Sequence, residues 1–95
     1  MKIGVAISSF KSDDDAINLI KRILGESWPI DGIIVVDSMG EGGISSFLSE
    51  NNIPNTTYHN FDYNLGSAGN LHNRLELASQ RDWDFVLALN HDALV

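Results

Sequence analysis

Cysteine is absent from the 95-residue chain, which excludes a disulfide framework and thiolate chemistry and fits a reducing compartment. Basic residues are scarce: 6 Lys and Arg stand against 13 Asp and Glu, a formal net charge of −7 at pH 7. A protein that grips nucleic acid by neutralising many phosphates needs clustered Lys and Arg, so no nucleic-acid partner is expected. A small anionic ligand stays open, provided that a divalent cation or oriented backbone amides supply the positive charge. No apolar stretch is long enough to span a bilayer. The opening "MKIGVAISSF" runs into an acidic segment instead of a small-residue cleavage site, so no signal peptide is read and a cytoplasmic protein is expected. Repeats, low-complexity tracts and interdomain linkers are missing too, and the length is just under the commonest size of one domain. Hydrophobic content of 43% and charged content of 20% then suit a single folded unit over residues 1–95.

Two nucleotide-binding signatures are also missing. The first strand-to-helix turn, "SSFKSDDD", has no glycine, whereas a dinucleotide fold wants G-x-G-x-x-G there so that backbone amides approach a pyrophosphate. No G-x-x-x-x-G-K-[ST] phosphate loop occurs anywhere. A receiver-like signalling domain needs an acidic cluster at the end of its first strand. Asp13 to Asp15 lie instead in the opening turn of a predicted helix, which leaves that reading a distant third.

What the chain does have is alternation of strand and helix. Ile3 to Ile7 reads as a buried strand ending at Ser8 and Ser9. In "SDDDAINLIKRILGE", Ser12 is the expected cap with Asp15 three residues on, Ile17, Ile20 and Leu24 recur at helical spacing, and the aspartates read as solvated first-turn carboxylates. Ile33 to Val36 is a continuous apolar run, as expected of a strand covered on both faces, and it ends on Asp37. After the loop "SMGEGG", a short helix carries Ile44, Phe47 and Leu48, and "TTYHN" reads as a weaker strand near an edge. A third helix begins near Gly66 to Gly69, with Leu71, Leu75 and Ala78 on one face; Arg74 could reach a phosphate, but a solvated helix position is the expected reading, and Trp83 to Leu89 is the last strand. The expectation is an α/β fold: an open, mainly parallel sheet of about four strands with helices on both faces. In such sheets ligands bind beyond the carboxyl ends of the strands, where strand order reverses. The residues at those ends are Ser8, Ser9 and Phe10; Asp37 and Ser38; Asn60 and Asp62; and Asn90, His91 and Asp92.

"NLGSAGNLHN" (Asn64 to Asn73) followed by "DFVLALNHDA" (Asp84 to Ala93) resembles the N-x-G-x-A-G-x-x-x-N segment and the hydrophobic strand with N-x-D of the family 2 glycosyltransferases, which have a GT-A fold, especially their rhamnosyltransferase-like members. "IGVAISSFKSDDDAINLIKRIL" and "IDGIIVVDSMGEGG" are similar to that family's first strand and helix and to its second-strand turn. The resemblance spans nearly the whole chain, in order. It implies a transferase that binds a nucleotide-diphosphate sugar through Mn²⁺ or Mg²⁺ and passes the sugar to an acceptor. Asp92 is then the metal-binding carboxylate, and Asn90 stands where the two-aspartate form has its first aspartate. An amide hydrogen-bonds a ribose hydroxyl but adds no negative charge. His91 takes the variable middle position and is not expected to be a ligand.

The same resemblance implies that Asp37 accepts a hydrogen bond from the base, although an Asx-turn or helix cap also explains an aspartate there. Ser8, Ser9 and Phe10 would flank the base, with core packing the other reading of Phe10. Gly66, Ala68 and Gly69 would let backbone lie close to the nucleotide, or simply make a tight entry to the helix. Family members continue with strands that bind the acceptor and carry the catalytic base. Here only Ala93, Leu94 and Val95 follow the motif. The expectation is a truncated, donor-binding half that transfers sugar poorly alone, meets a saccharide acceptor only with a further domain, and relieves an open sheet edge as a homodimer. A non-catalytic nucleotide or nucleotide-sugar binding module is the alternative.

Overall fold

The computed structural model describes residues 2–25, 30–53, 55–64 and 66–91, with Ser67 described by its backbone alone. Strands and helices alternate: β1 (Ile3–Phe10), α1 (Asp13–Gly25), β2 (Ile30–Ser38), α2 (Gly43–Glu50), β3 (Thr56–Phe61), α3 (Gly66–Ser79) and β4 (Phe85–Asn90). All pairings are parallel and the strand order is β3-β2-β1-β4. The polar strand β3 lies at an edge, as its composition predicts. A receiver has the order 2-1-3-4-5, so the observed order corrects that third reading. The direction of travel reverses after β3, when α3 carries the chain back across the sheet to set β4 beside β1.

The alternation of side chains along the central strands assigns each face its helices. Val5, Ile7, Ile33 and Val35 point to one face and pack with Leu19, Ile20 and Ile23 of α1 and Ile44 of α2. Ala6, Ile34 and Val36 point to the other and pack with Ala78 of α3. Helices therefore cover both faces, which is why the central strands read as unbroken apolar runs.

Two helices are rotated from the faces that their apolar residues suggest. In α1 the buried stripe is Ala16, Leu19, Ile20 and Ile23, while Leu24 is 50% exposed. Ala16 lets the helix approach the sheet more closely than a larger side chain would. In α3 the buried residues are Asn70, Arg74 and Ala78, spaced four apart, and Leu71 and Leu75 face outward. The predicted solvated position of Arg74 is thus corrected: its side chain lies beneath the helix, held by main-chain carbonyls of the sheet.

The acidic start of α1 also differs from the expectation. The Ser12 hydroxyl donates back to the Phe10 carbonyl at 3.0 Å. Asp13 is half-buried, and its Oδ2 accepts the Gly43 N–H at 2.9 Å, tying the first amide of α2 to α1. At the other end of the sheet the Trp83 indole lies against the paired glycines Gly4 and Gly32; a Cβ on Gly4 would sit 2.0 Å from the ring. Among the described residues no helix is long and apolar enough to cross a membrane.

Candidate functional site

A cleft of about 550 Å³ opens at the carboxyl ends of β1 and β4. This is the point where strand order reverses: α1, which leaves β1, and α3, which leads into β4, cover opposite faces of the sheet. Ser8 pairs in register with Asn90 across it. The Ser8 hydroxyl donates to Asn90 Oδ1 at 2.9 Å, which fixes the amide at the rim.

Of the residues expected to contact the nucleotide, Ser8, Ser9, Phe10, Gly66 and Asn90 line the cleft. Phe10 is 40% exposed, so it belongs to the cleft wall and not to the core. Lys11 Nζ lies 5.6 Å from the centroid of its ring. Gly66 opens α3 with φ of 73°, a left-handed conformation that favours glycine. Its N–H donates to Asn64 Oδ1 at 2.9 Å, an Asx-turn that makes the tight helix entry. His91 also borders the space.

Asp37 and Gly69 are not among the lining residues. Asp37 is fully buried behind the cleft, and the Tyr58 hydroxyl donates to its Oδ2 at 2.6 Å. Burial pushes the Asp37 carboxyl above its ordinary value, against the opposing pull of the Tyr58 hydrogen bond. Burial and the neighbouring Asp37 carboxylate raise the Tyr58 hydroxyl in turn. The loop after β2 closes over this pair: a Cβ on Gly40 would lie 1.9 Å from Asp37 Oδ2, and the Gly40 N–H donates to Asn60 Oδ1 at 3.1 Å. Ser38, the next residue, reaches the cleft in its place. Gly69 is half-buried inside α3, its carbonyl accepting from Asn73 Nδ2 at 2.9 Å. Asp92, the expected metal ligand, lies outside the described residues.

The floor of the cleft contains two residues that sequence reasoning placed elsewhere or passed over. Asn70 Nδ2 donates to the Val36 carbonyl at 3.1 Å. Arg74 Nη1 donates to the carbonyls of Ala6 at 3.3 Å and Leu89 at 3.2 Å, bridging β1 and β4. Burial lowers the Arg74 pKa, but a guanidinium stays charged in proteins. The available signal was the four-residue spacing of Asn70, Arg74 and Ala78, which competes with the more apolar Leu71, Leu75 stripe. Among the described residues no group of three or more His, Asp or Glu is placed to hold a metal ion. No described residue that lines the cleft is acidic.

No protein-family model and no curated protein matches the sequence. Among solved structures, the crystal structure of residues 1–349 of S. aureus TarS is similar to the chain at a TM-score of 0.74 and 21% identity, over 97% of this chain and 28% of that one. The chain thus spans under a third of the length of that structure. At this identity the likeness is one of fold: an open parallel α/β sheet with helices on both faces.

Proposed function

We propose that this chain forms the donor-binding part of a glycosyltransferase that uses a nucleotide-diphosphate sugar. One observation carries the reading: on a glycosyltransferase-like fold, the cleft at the reversal of strand order is lined by hydroxyls, amides and one guanidinium, with no acidic residue among those described. A donor of this kind is a diphosphate ester. When the bond from the sugar to the diphosphate breaks, the leaving oxygens gain negative charge, and a described lining that offers no carboxylate does not oppose that change.

In this reading Ser8 and Asn90 hold the ribose, the Asn90 amide being oriented by the Ser8 hydroxyl, and Phe10 offers its exposed ring to the base. Asp92 and the donor's own phosphates would together hold Mn²⁺ or Mg²⁺, hard cations that accept one or two protein carboxylates with phosphate oxygens. Such a cation supplies Lewis-acid stabilisation of the leaving diphosphate. Asp37, shut behind Tyr58 and the Gly40 loop, takes no part in contacting the base in this arrangement. A saccharide acceptor and a catalytic base would come from a further domain.

Calorimetric titration of the purified chain with a panel of nucleoside diphosphates, with and without Mn²⁺, tests the reading. Binding strengthened by Mn²⁺ is expected, with the metal's effect lost in Asp92→Ala. If no nucleoside diphosphate bound under either condition, the proposal would fail. The absence of a carboxylate among the described lining residues also suits a module that binds nucleotide without catalysis. Hydrolysis or transfer of a nucleotide sugar by the chain would exclude that second reading.

A further inference from the structure

We propose that Arg74 and Asn70 form a phosphate-binding floor in the cleft, able to engage a diphosphate without a divalent cation. The inference deepens the donor reading, and it rests on that reading for the identity of the ligand; the anion site itself rests on the geometry.

Arg74 is 5% exposed and Asn70 6%, yet both border the cleft. A buried guanidinium is costly unless a counter-charge or a full set of acceptors compensates it. Arg74 has neither among the described residues. Nη1 alone is satisfied, by the two carbonyls, while Nε is buried with no partner. Asn70 Nδ2 gives one of its two hydrogens to the Val36 carbonyl, and its second hydrogen is the donor that Asn70 can offer an anion. The Arg side chain is anchored by Nη1 and its Nε is shut away, which leaves Nη2 as the uncommitted donor that is not buried. A guanidinium N–H of this kind binds a phosphate oxygen as a charge-assisted pair.

Charge distribution favours the same ligand. The chain carries 13 acidic residues, but none of the described residues that line this cleft is one of them, Asp37 being buried behind it. The Asp13, Asp14 and Asp15 cluster borders a separate depression with Glu41. A protein of net charge −7 repels anions over most of its surface, so a guanidinium without a carboxylate partner among the described residues, beneath a cleft whose described lining is not acidic, marks where an anion is admitted. Ser9, whose hydroxyl is also buried at the cleft, has no hydrogen-bond partner there among the described residues and adds a further polar group.

The test is titration of the purified chain in EDTA with inorganic pyrophosphate and, separately, with nucleoside diphosphates. Folding of each variant is checked by circular dichroism, and the pyrophosphate-induced rise in Tm is followed alongside. The wild type should bind pyrophosphate in EDTA. Arg74→Met should weaken binding about tenfold or more, the loss typical of a charge-assisted pair. Arg74→Lys, which keeps the charge but loses the fork, should lie between, and it serves as the decisive variant if Arg74→Met does not fold.

Absence of pyrophosphate binding in EDTA, or unchanged affinity in either folded variant, would overturn the proposal and leave Arg74 as a tie between β1 and β4. The two readings separate cleanly. Binding of nucleoside diphosphate that needs Mn²⁺ and Asp92 but ignores Arg74 sinks this inference and spares the donor site. Arg74-dependent pyrophosphate binding to which a nucleoside adds nothing supports the anion floor and removes the donor reading.

Discussion

Asp37 sits where the sequence suggests a ligand-contacting carboxylate, at the end of an apolar strand and before a glycine-rich loop. Its surroundings give it another character: Oδ2 accepts from Tyr58, Oδ1 is buried without a partner, and desolvation raises its pKa. The native carboxyl holds its proton to higher pH than the unfolded one, whose ordinary value is 3.8. Between those two values the native state binds more protons, so this group stabilises the fold on the acid side and that contribution is lost as pH rises through the folded value. Asp37→Asn is neutral throughout. Its stability relative to wild type, read from urea midpoints, should therefore improve as pH goes from below 3.8 to neutrality; a constant difference would refute the shift. At neutral pH, Tyr58→Phe should cost about 1–3 kcal/mol because it strands the buried acceptor. The residue's place in the chain was legible, but the tyrosine that covers it arrives from β3, 21 positions on.

At the scale of elements, type and order were readable, whereas rotation was not. Continuous runs such as Ile33 to Val36 announce strands covered on both faces, and the spacing in α1 announces a helix. Neither says which residues meet the sheet. In α3 the hydrogen bonds of Asn70 and Arg74 to sheet carbonyls turn Leu71 and Leu75 outward. Helix seating also depends on small residues at specific contacts. Gly4 and Gly32 leave room for the Trp83 ring, which Arg81 stacks at 5.5 Å from its centroid. Gly4→Ala and Gly32→Ala should each destabilise by about 1–3 kcal/mol through overpacking. Gly25, at the end of α1, faces open space, and a methyl group added there would meet no heavy atom within 4 Å. Gly25→Ala should be neutral or stabilising by about 0.4–1 kcal/mol. Thermal denaturation of the three variants checks the contrast, and similar losses at all three would show that the indole does not set it.

For the molecule as a whole, β4 is an edge of the described sheet and carries Phe85 at 59% and Leu87 at 38% exposure. Unpaired strand edges with apolar side chains favour pairing with another chain. Self-association that rises with concentration is expected in sedimentation velocity, and Leu87→Lys should weaken it. A sedimentation profile that stays monomeric at high concentration would count against this surface as a self-association site. The edge was expected from order and composition. That the described residues lining the cleft include no acid was not, because it depends on which side of the sheet each acidic residue occupies.

The sequence by itself determined the alternation of strands and helices, the two-sided burial of the central strands and the polar strand ends where a ligand site belongs. These follow from local spacing and from which residues tolerate water. Only the tertiary structure decided that β4 returns beside β1, that Asp37 is sealed behind Tyr58 and that Arg74 lies under the cleft. Those outcomes depend on crossings and on helix rotation, which bring together side chains as far apart as Ala6 and Arg74, 68 positions in the chain. No local pattern encodes such a meeting.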